Sequence, residues 1–298
     1  MNALPRSIAA CAWGAALALA STIPAHAARV GAYHIMPTPE YAARAGLVAP
    51  QPEAARMEYF GGSVFSNVKV VSVMWGPNVN STIVSTVPGF STALVDSTYV
   101  DQMSEYDTFL KGINGHKGTK QHITRGSYLG QVQITPNNTA THITDDEVQK
   151  ELKQQIRAGV LPPHDLNTLY MIYFPSNVTI TLDGLTSCQQ FGAYHFATND
   201  TQMKNNNIFY AVEPDCGGGI ANITFAASHE FAEATTDNIP TPGSNPAFPQ
   251  AWNDAQGFEV GDICGGSGTL TRNGKSYTVT QYFLNSKNAC STGNYTSP

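Results

Sequence analysis

Apolar positions along the chain fall into short continuous runs separated by stretches with helical periodicity. Val68-Lys69-Val70-Val71-Ser72-Val73-Met74-Trp75 reads as a strand, ended by Gly76-Pro77. A mostly helical stretch follows from Ile83 to Leu110, with a break expected at Pro88-Gly89, and Ser127 to Ile134 reads as a second strand that ends at Pro136. The clearest helix covers Asp145 to Ala158. Thr144 is its capping-box residue with Glu147 three positions on, and Gly159 closes it. Leu169 to Phe174 is apolar on both faces, as a central strand must be, and Ile208 to Val212 is another such run. A helix over Asn222–Thr235 and a last strand over Tyr277–Phe283 complete the set. This order predicts a mixed α/β fold, one sheet with helices packed on it, in a single main domain over residues 59–298.

Two segments stand outside this pattern. Residues 28–58, rich in Ala, Pro and Arg, show no sustained period and read as a flexible arm. Residues 1–27 read as an export signal. Arg6 supplies the positive end, Ile8 to Ala20 the apolar stretch, and Ala25-His26-Ala27 the small-x-small site before a cut at Ala28. The apolar stretch is shorter than the ~20 residues that span a bilayer.

Export changes how charge and cysteine are read. The whole chain has 16 basic and 22 acidic residues. Losing Arg6 leaves fifteen basic residues and a net charge of about −7, which argues against nucleic acid or an anionic membrane as partner. Cys11 leaves with the signal, so four cysteines remain. Their wide spacing, with no CxxC, predicts disulfides rather than a zinc-thiolate site. The expected pairing is sequential, Cys188–Cys216 and Cys264–Cys290, each closing a local loop beside the residues of chemical interest.

Those residues centre on Ser228-His229-Glu230-Phe231-Ala232-Glu233. His229 and Glu233 are four apart and so share one helix face, the spacing by which a helix gives two ligands to one metal. Zinc peptidases use His-Glu-x-x-His, in which the Glu takes a proton from metal-bound water. Glu230 occupies that position here, and Glu233 replaces the second histidine. The helix is apolar nearly all round, so its ionisable groups are buried and need a partner. Further ligands are expected from His195, near Cys188, and from Glu259, with Asp262 orienting it from behind. Asp237 and Asp254 offer a different grouping, with Asp262 around a calcium ion. His116 and His122 flank a Gly/Lys loop and are expected at the surface. Ser228 and His229 diverge by about 100° on a helix and do not form a nucleophile–base pair.

Taken in order, several pieces resemble the exordium-like, phosphate-induced family of secreted proteins and its bacterial relatives. They are Phe60-Gly61-Gly62, Trp75-Gly76, Ser97-Thr98-Tyr99, Gly192-Ala193-Tyr194-His195, Ser228–Glu233, Glu259-Val260-Gly261-Asp262-Ile263-Cys264 and Asn273–Tyr277. The resemblance spans roughly residues 59–291 and implies an extracellular protein. The residues themselves predict a fold resembling the zincins and a zinc-dependent hydrolase, a peptidase with Glu230 as general base. The expected substrate is an extracellular protein or peptide, the chain acting as a monomer without membrane insertion. Two other functions fit the same residues. One is a non-catalytic extracellular binding or signalling protein whose metal or ion-pair site is structural. The other is a wall-polysaccharide hydrolase using Glu230 and Glu259 as paired acid and base.

Overall fold

The apolar run Leu169–Phe174, with Thr168 before it, becomes a strand buried at every position, and the rest of the fold is arranged on its two faces. In the computed structural model, which describes residues 28–30, 33–47, 51–203, 207–241 and 246–298, it belongs to a seven-stranded sheet. In chain order the strands are β1 Ala28–Val30, β2 Tyr33–Pro37, β3 Asn67–Trp75, β4 Thr124–Ile134, β5 Thr168–Phe174, β6 Phe191–Asn199 and β7 Asn207–Pro214. Across the sheet the order is β1-β2-β6-β7-β5-β3-β4. The last four run parallel, while β6, β2 and β1 each lie antiparallel to the preceding neighbour. The export signal expected over residues 1–27 lies outside the described residues.

Five α-helices are described: α1 Pro39–Ala45, α2 Ser81–Val95, α3 Thr98–Asp101, α4 Asp145–Arg157 and α5 Gly219–Thr236. Strand alternation divides the core between two faces. Leu169, Met171 and Tyr173 pack with Phe90 and Leu94 of α2 and with Ala227 and Phe231 of α5. Tyr170, Ile172 and Phe174 pack on the opposite face with Val148, Leu152 and Ile156 of α4. The capping box expected at Thr144 and Glu147 is formed in full. The fold is therefore a mixed α/β sheet with helices on both faces. No described helix is long and apolar enough to cross a membrane.

Two expectations fail here. Residues 28–58 do not all stand apart as an arm, since β1 and β2 extend the main sheet through pairing with β6. These residues lack a sustained apolar period because β1 and β2 are brief and α1 buries only Ala42. The helix after β3 is also not broken at Pro88; it runs unbroken from Ser81 to Val95. Ile83, Val87, Phe90 and Leu94 bury one continuous stripe, and that packing outweighs the one backbone hydrogen bond a proline removes. The chain restarts at Ser97, whose hydroxyl caps α3 by accepting from Tyr99 N at 3.2 Å.

After α5 the chain returns over that helix. A three-stranded sheet of Ser267–Arg272, Lys275–Thr280 and Asn294–Thr296 packs on it, with Thr280 N donating to Ser228 Oγ at 2.8 Å. Both disulfides join the expected partners, Cys188–Cys216 and Cys264–Cys290. The second fastens the turn that carries Glu259 and Asp262.

Candidate metal centre

The side chains that meet between the sheet and α5 are placed there by strand alternation. His195 on β6 lies opposite Ala211 on β7, so it shares the face that Ala211 presents to α5. Glu213 follows Phe209 and Ala211 in the same alternation. On β2, Ile35 belongs to the opposite core, which sends His34 toward α5 as well. From the other side, α5 presents His229, Glu230 and Glu233, and the turn over Glu259–Cys264 closes above them. All are buried, with His195, His229, Glu230, Glu233, Glu259 and Asp262 between 0 and 3% exposed.

Two groups of ligand atoms converge within this space: His195 with Glu230 and Glu233, and His229 with Glu233 and Asp262. His229 Nε2 stands 3.0 Å from Glu233 Oε1 and 3.6 Å from Asp262 Oδ1. His195 Nδ1 is 3.2 Å from Glu230 Oε2 and 3.7 Å from Glu233 Oε2. The approach of His229 to Glu233 does not have hydrogen-bond geometry. His229 Nε2, Glu233 Oε1, Asp262 Oδ1 and Glu230 Oε1 are all buried without a hydrogen-bond partner. Buried polar atoms in native proteins are almost always satisfied, so four orphaned donor and acceptor atoms around one space mark a place for something that binds all of them.

The surrounding contacts fix the ring of His195. Its Nε2 lies 3.1 Å from the backbone oxygen of Asp237 and 3.6 Å from Glu259 Oε1, while Nδ1 shares a 3.2 Å hydrogen bond with Glu230 Oε2 and lies 3.7 Å from Glu233 Oε2. A hydrogen bond on one ring nitrogen sets what the other presents, the usual arrangement behind a metal-binding histidine. Glu259 Oε2 is 3.0 Å from His34 Nδ1, so this carboxylate stands between two imidazoles. Asp262 Oδ2 accepts from Glu259 N at 2.8 Å, which aims Oδ1 at His229. The turn approaches so closely that a Cβ at Gly261 would come within 2.8 Å of Glu233 Oε1 and 2.9 Å of His229 Nδ1.

Electrostatics agree with a site short of positive charge. Burial, then the Asp262 charge, pushes Glu233 well above the ordinary carboxylate range. Burial, then Glu233 and Asp237, does the same to Glu259. Glu230 is pushed up to about 8 by burial, against the pull of His229. Burial also raises Glu213, with Glu230 adding to it. His229 runs against its own burial: Glu233 and Asp262 hold it well above the usual histidine value. His195 is lowered, burial outweighing Glu233. Burial would raise Asp262, but His229 and Glu233 keep it low. Apart from these histidines, the carboxylates reduce their mutual repulsion only by holding protons, and a bound cation would take the protons' place.

The structure redistributes the expected roles. Asp262, expected behind the ligands, reaches the His229–Glu233 group directly. Glu259, expected as a ligand, lies between His195 and His34 with both oxygens buried and without a hydrogen-bond partner. Asp237, Asp254 and Asp262 do not converge as a calcium group among the described residues. Asp237 Oδ2 accepts from Asn253 Nδ2 at 2.6 Å, and Asp254 Oδ1 closes a turn by accepting from Gln256 N and Phe258 N. His116 stacks on Phe248 and His122 pairs with Asp107, both away from the centre.

His34 and Glu213 are the site residues that sequence reasoning missed. Glu213 was within reach, because it continues the Phe209, Ala211 phase by one step. His34 was not, because a five-residue strand at the sheet's margin carries too little pattern to separate from an arm. Comparison with protein-family models, with curated proteins and with solved structures finds no match.

Proposed function

We propose that this chain is an exported metalloprotein whose His229, Glu233 and Asp262 hold a divalent cation between the sheet and α5. The observation that carries this reading is the set of orphaned, buried ligand atoms facing one another across the His229–Glu233–Asp262 group. The donor set favours zinc. Imidazole nitrogen with carboxylate oxygen suits zinc, whereas calcium takes six to eight oxygens and no nitrogen. The exordium-like resemblance and export through residues 1–27 belong to the same proposal. So does a zincin-like relation between α5 and the sheet that covers it.

Hydrolysis of a peptide bond is the reaction such a centre serves, and Glu230 favours it. A bound zinc polarises a carbonyl and acidifies water. Glu230 follows His229 directly in the chain, and its Oε1 is without a partner beside the group, as a proton acceptor must be. The second reading, a structural clasp in a binding or signalling protein, is favoured by closure, since every ligand residue is at most 3% exposed. The paired-carboxylate reading has less behind it, because His195 stands between Glu230 and Glu259. Two measurements separate these. Chelator treatment should lower the melting temperature if a metal is held, and an unchanged melt would oppose the whole proposal. Glu230→Gln should abolish peptidase turnover if the centre is catalytic; a wild type that cleaves no peptide leaves the clasp.

A further inference from the structure

The two ligand groups are not alternatives for one ion. Glu233 belongs to both, and it offers a different oxygen to each. Oε1 stands 3.0 Å from His229 Nε2, on the side of Asp262. Oε2 stands 3.7 Å from His195 Nδ1, on the side of Glu230. A carboxylate whose two oxygens point into two separate groups of nitrogen and oxygen donors has the form of a bridge. Each group is closed by a histidine nitrogen from a different element, β6 for one and α5 for the other. Each also carries an orphaned oxygen of its own, Glu230 Oε1 on one side and Asp262 Oδ1 on the other.

Charge points the same way. Glu213, Glu230, Glu233, Glu259 and Asp262 bring five carboxylates into a space closed from water. Among the described residues the Lys and Arg ion pairs are made elsewhere, with Asp96, Asp101, Asp165 and Asp200. Where these carboxylates are ionised, one divalent cation offsets only part of their charge, and a second offsets more of it. Unpaired buried charge is among the most costly features a fold can carry.

We infer that the centre takes two divalent cations, one held by His229, Asp262 and Glu233 and the other by His195, Glu230 and Glu233, with Glu233 as the shared bridge. This rests on the metal-binding reading and extends it. It also gives Glu230 a different duty, since a side chain that holds the second ion is not free to act as a base.

The test is zinc stoichiometry. The purified chain is stripped with chelator, reloaded with zinc, desalted and analysed for metal per chain. Two equivalents are expected for the wild type. Glu230→Gln and His195→Gln remove one ligand each from the second group only, so both should retain one equivalent with the fold intact by circular dichroism. A wild type that binds a single equivalent overturns the pair and leaves the single-ion centre standing. Two equivalents retained in both variants also overturns it, because the second ion would then not depend on these side chains. A wild type that binds no zinc instead sinks the metal-binding reading itself. The wild-type count needs no variant, so misfolding of a variant cannot hide the answer.

Discussion

Gly261→Ala is the sharpest perturbation the structure offers. Gly261 is not held in a left-handed conformation, so alanine meets no backbone penalty there; what it meets is the centre. Its Cβ would lie 2.8 Å from Glu233 Oε1 and 2.9 Å from both Cε1 and Nδ1 of His229, all under the 3.0 Å that real contacts rarely cross. The atoms that must yield are ends of side chains rather than backbone, so the fold should survive. Overpacking of this kind costs about 1–3 kcal/mol, which lowers the melting temperature of a chain this size by roughly 2–10 °C. The ligand atoms themselves are what moves, so metal binding should suffer more than stability. At least a tenfold loss of zinc affinity is expected, about 1.4 kcal/mol. The assay is a zinc-competition titration alongside thermal melts with and without chelator. The variant should melt lower than the wild type in zinc, with a smaller difference after chelation. A variant that binds zinc as tightly as the wild type would refute the reasoning, since it would show that Gly261 does not press on a working ligand pair.

Other consequences follow from the same geometry. Replacing Cys264 and Cys290 with alanine releases a loop of 26 residues in sequence separation, which loop-closure entropy values at about 3.5 kcal/mol. Zinc affinity should fall with it, because the turn bearing Asp262 is no longer fastened; unchanged affinity would show that the turn holds itself. Truncation to residue 51 removes β2 and with it His34, whose imidazole faces Glu259 across 3.0 Å in a buried site. Losing β2 also uncovers the edge of β6, so the truncated chain should unfold at lower denaturant concentration, and a shift within error would return this segment to the status of an arm.

Much of the architecture was legible from periodicity where runs are long. Leu169–Phe174 is buried at every position, as its uninterrupted apolar character requires. The α5 helix and the Asp145 helix lie within a few residues of where their caps and periods place them. Legibility ended where tertiary contacts decide. Pro88 sits inside a helix because one buried stripe spans it. Tyr33–Pro37 is a strand because β6 offers it an edge, which no local signal announces. At the centre, His229, Glu230, Glu233 and His195 could be singled out from residue type and spacing. The aim of Asp262 Oδ1 at His229 could not, because it turns on which way a short turn faces. The hydrogen bond from Glu259 N to Asp262 sets that direction.

The central claim is that a divalent cation sits among His229, Glu233 and Asp262, and anomalous diffraction at the zinc edge tests it most directly. A crystal of the zinc-loaded chain should show an anomalous peak within about 2.0–2.2 Å of His229 Nε2 and of carboxylate oxygens from Glu233 and Asp262. A map with no peak there, and with those atoms instead hydrogen-bonded to one another or to water, would contradict the account.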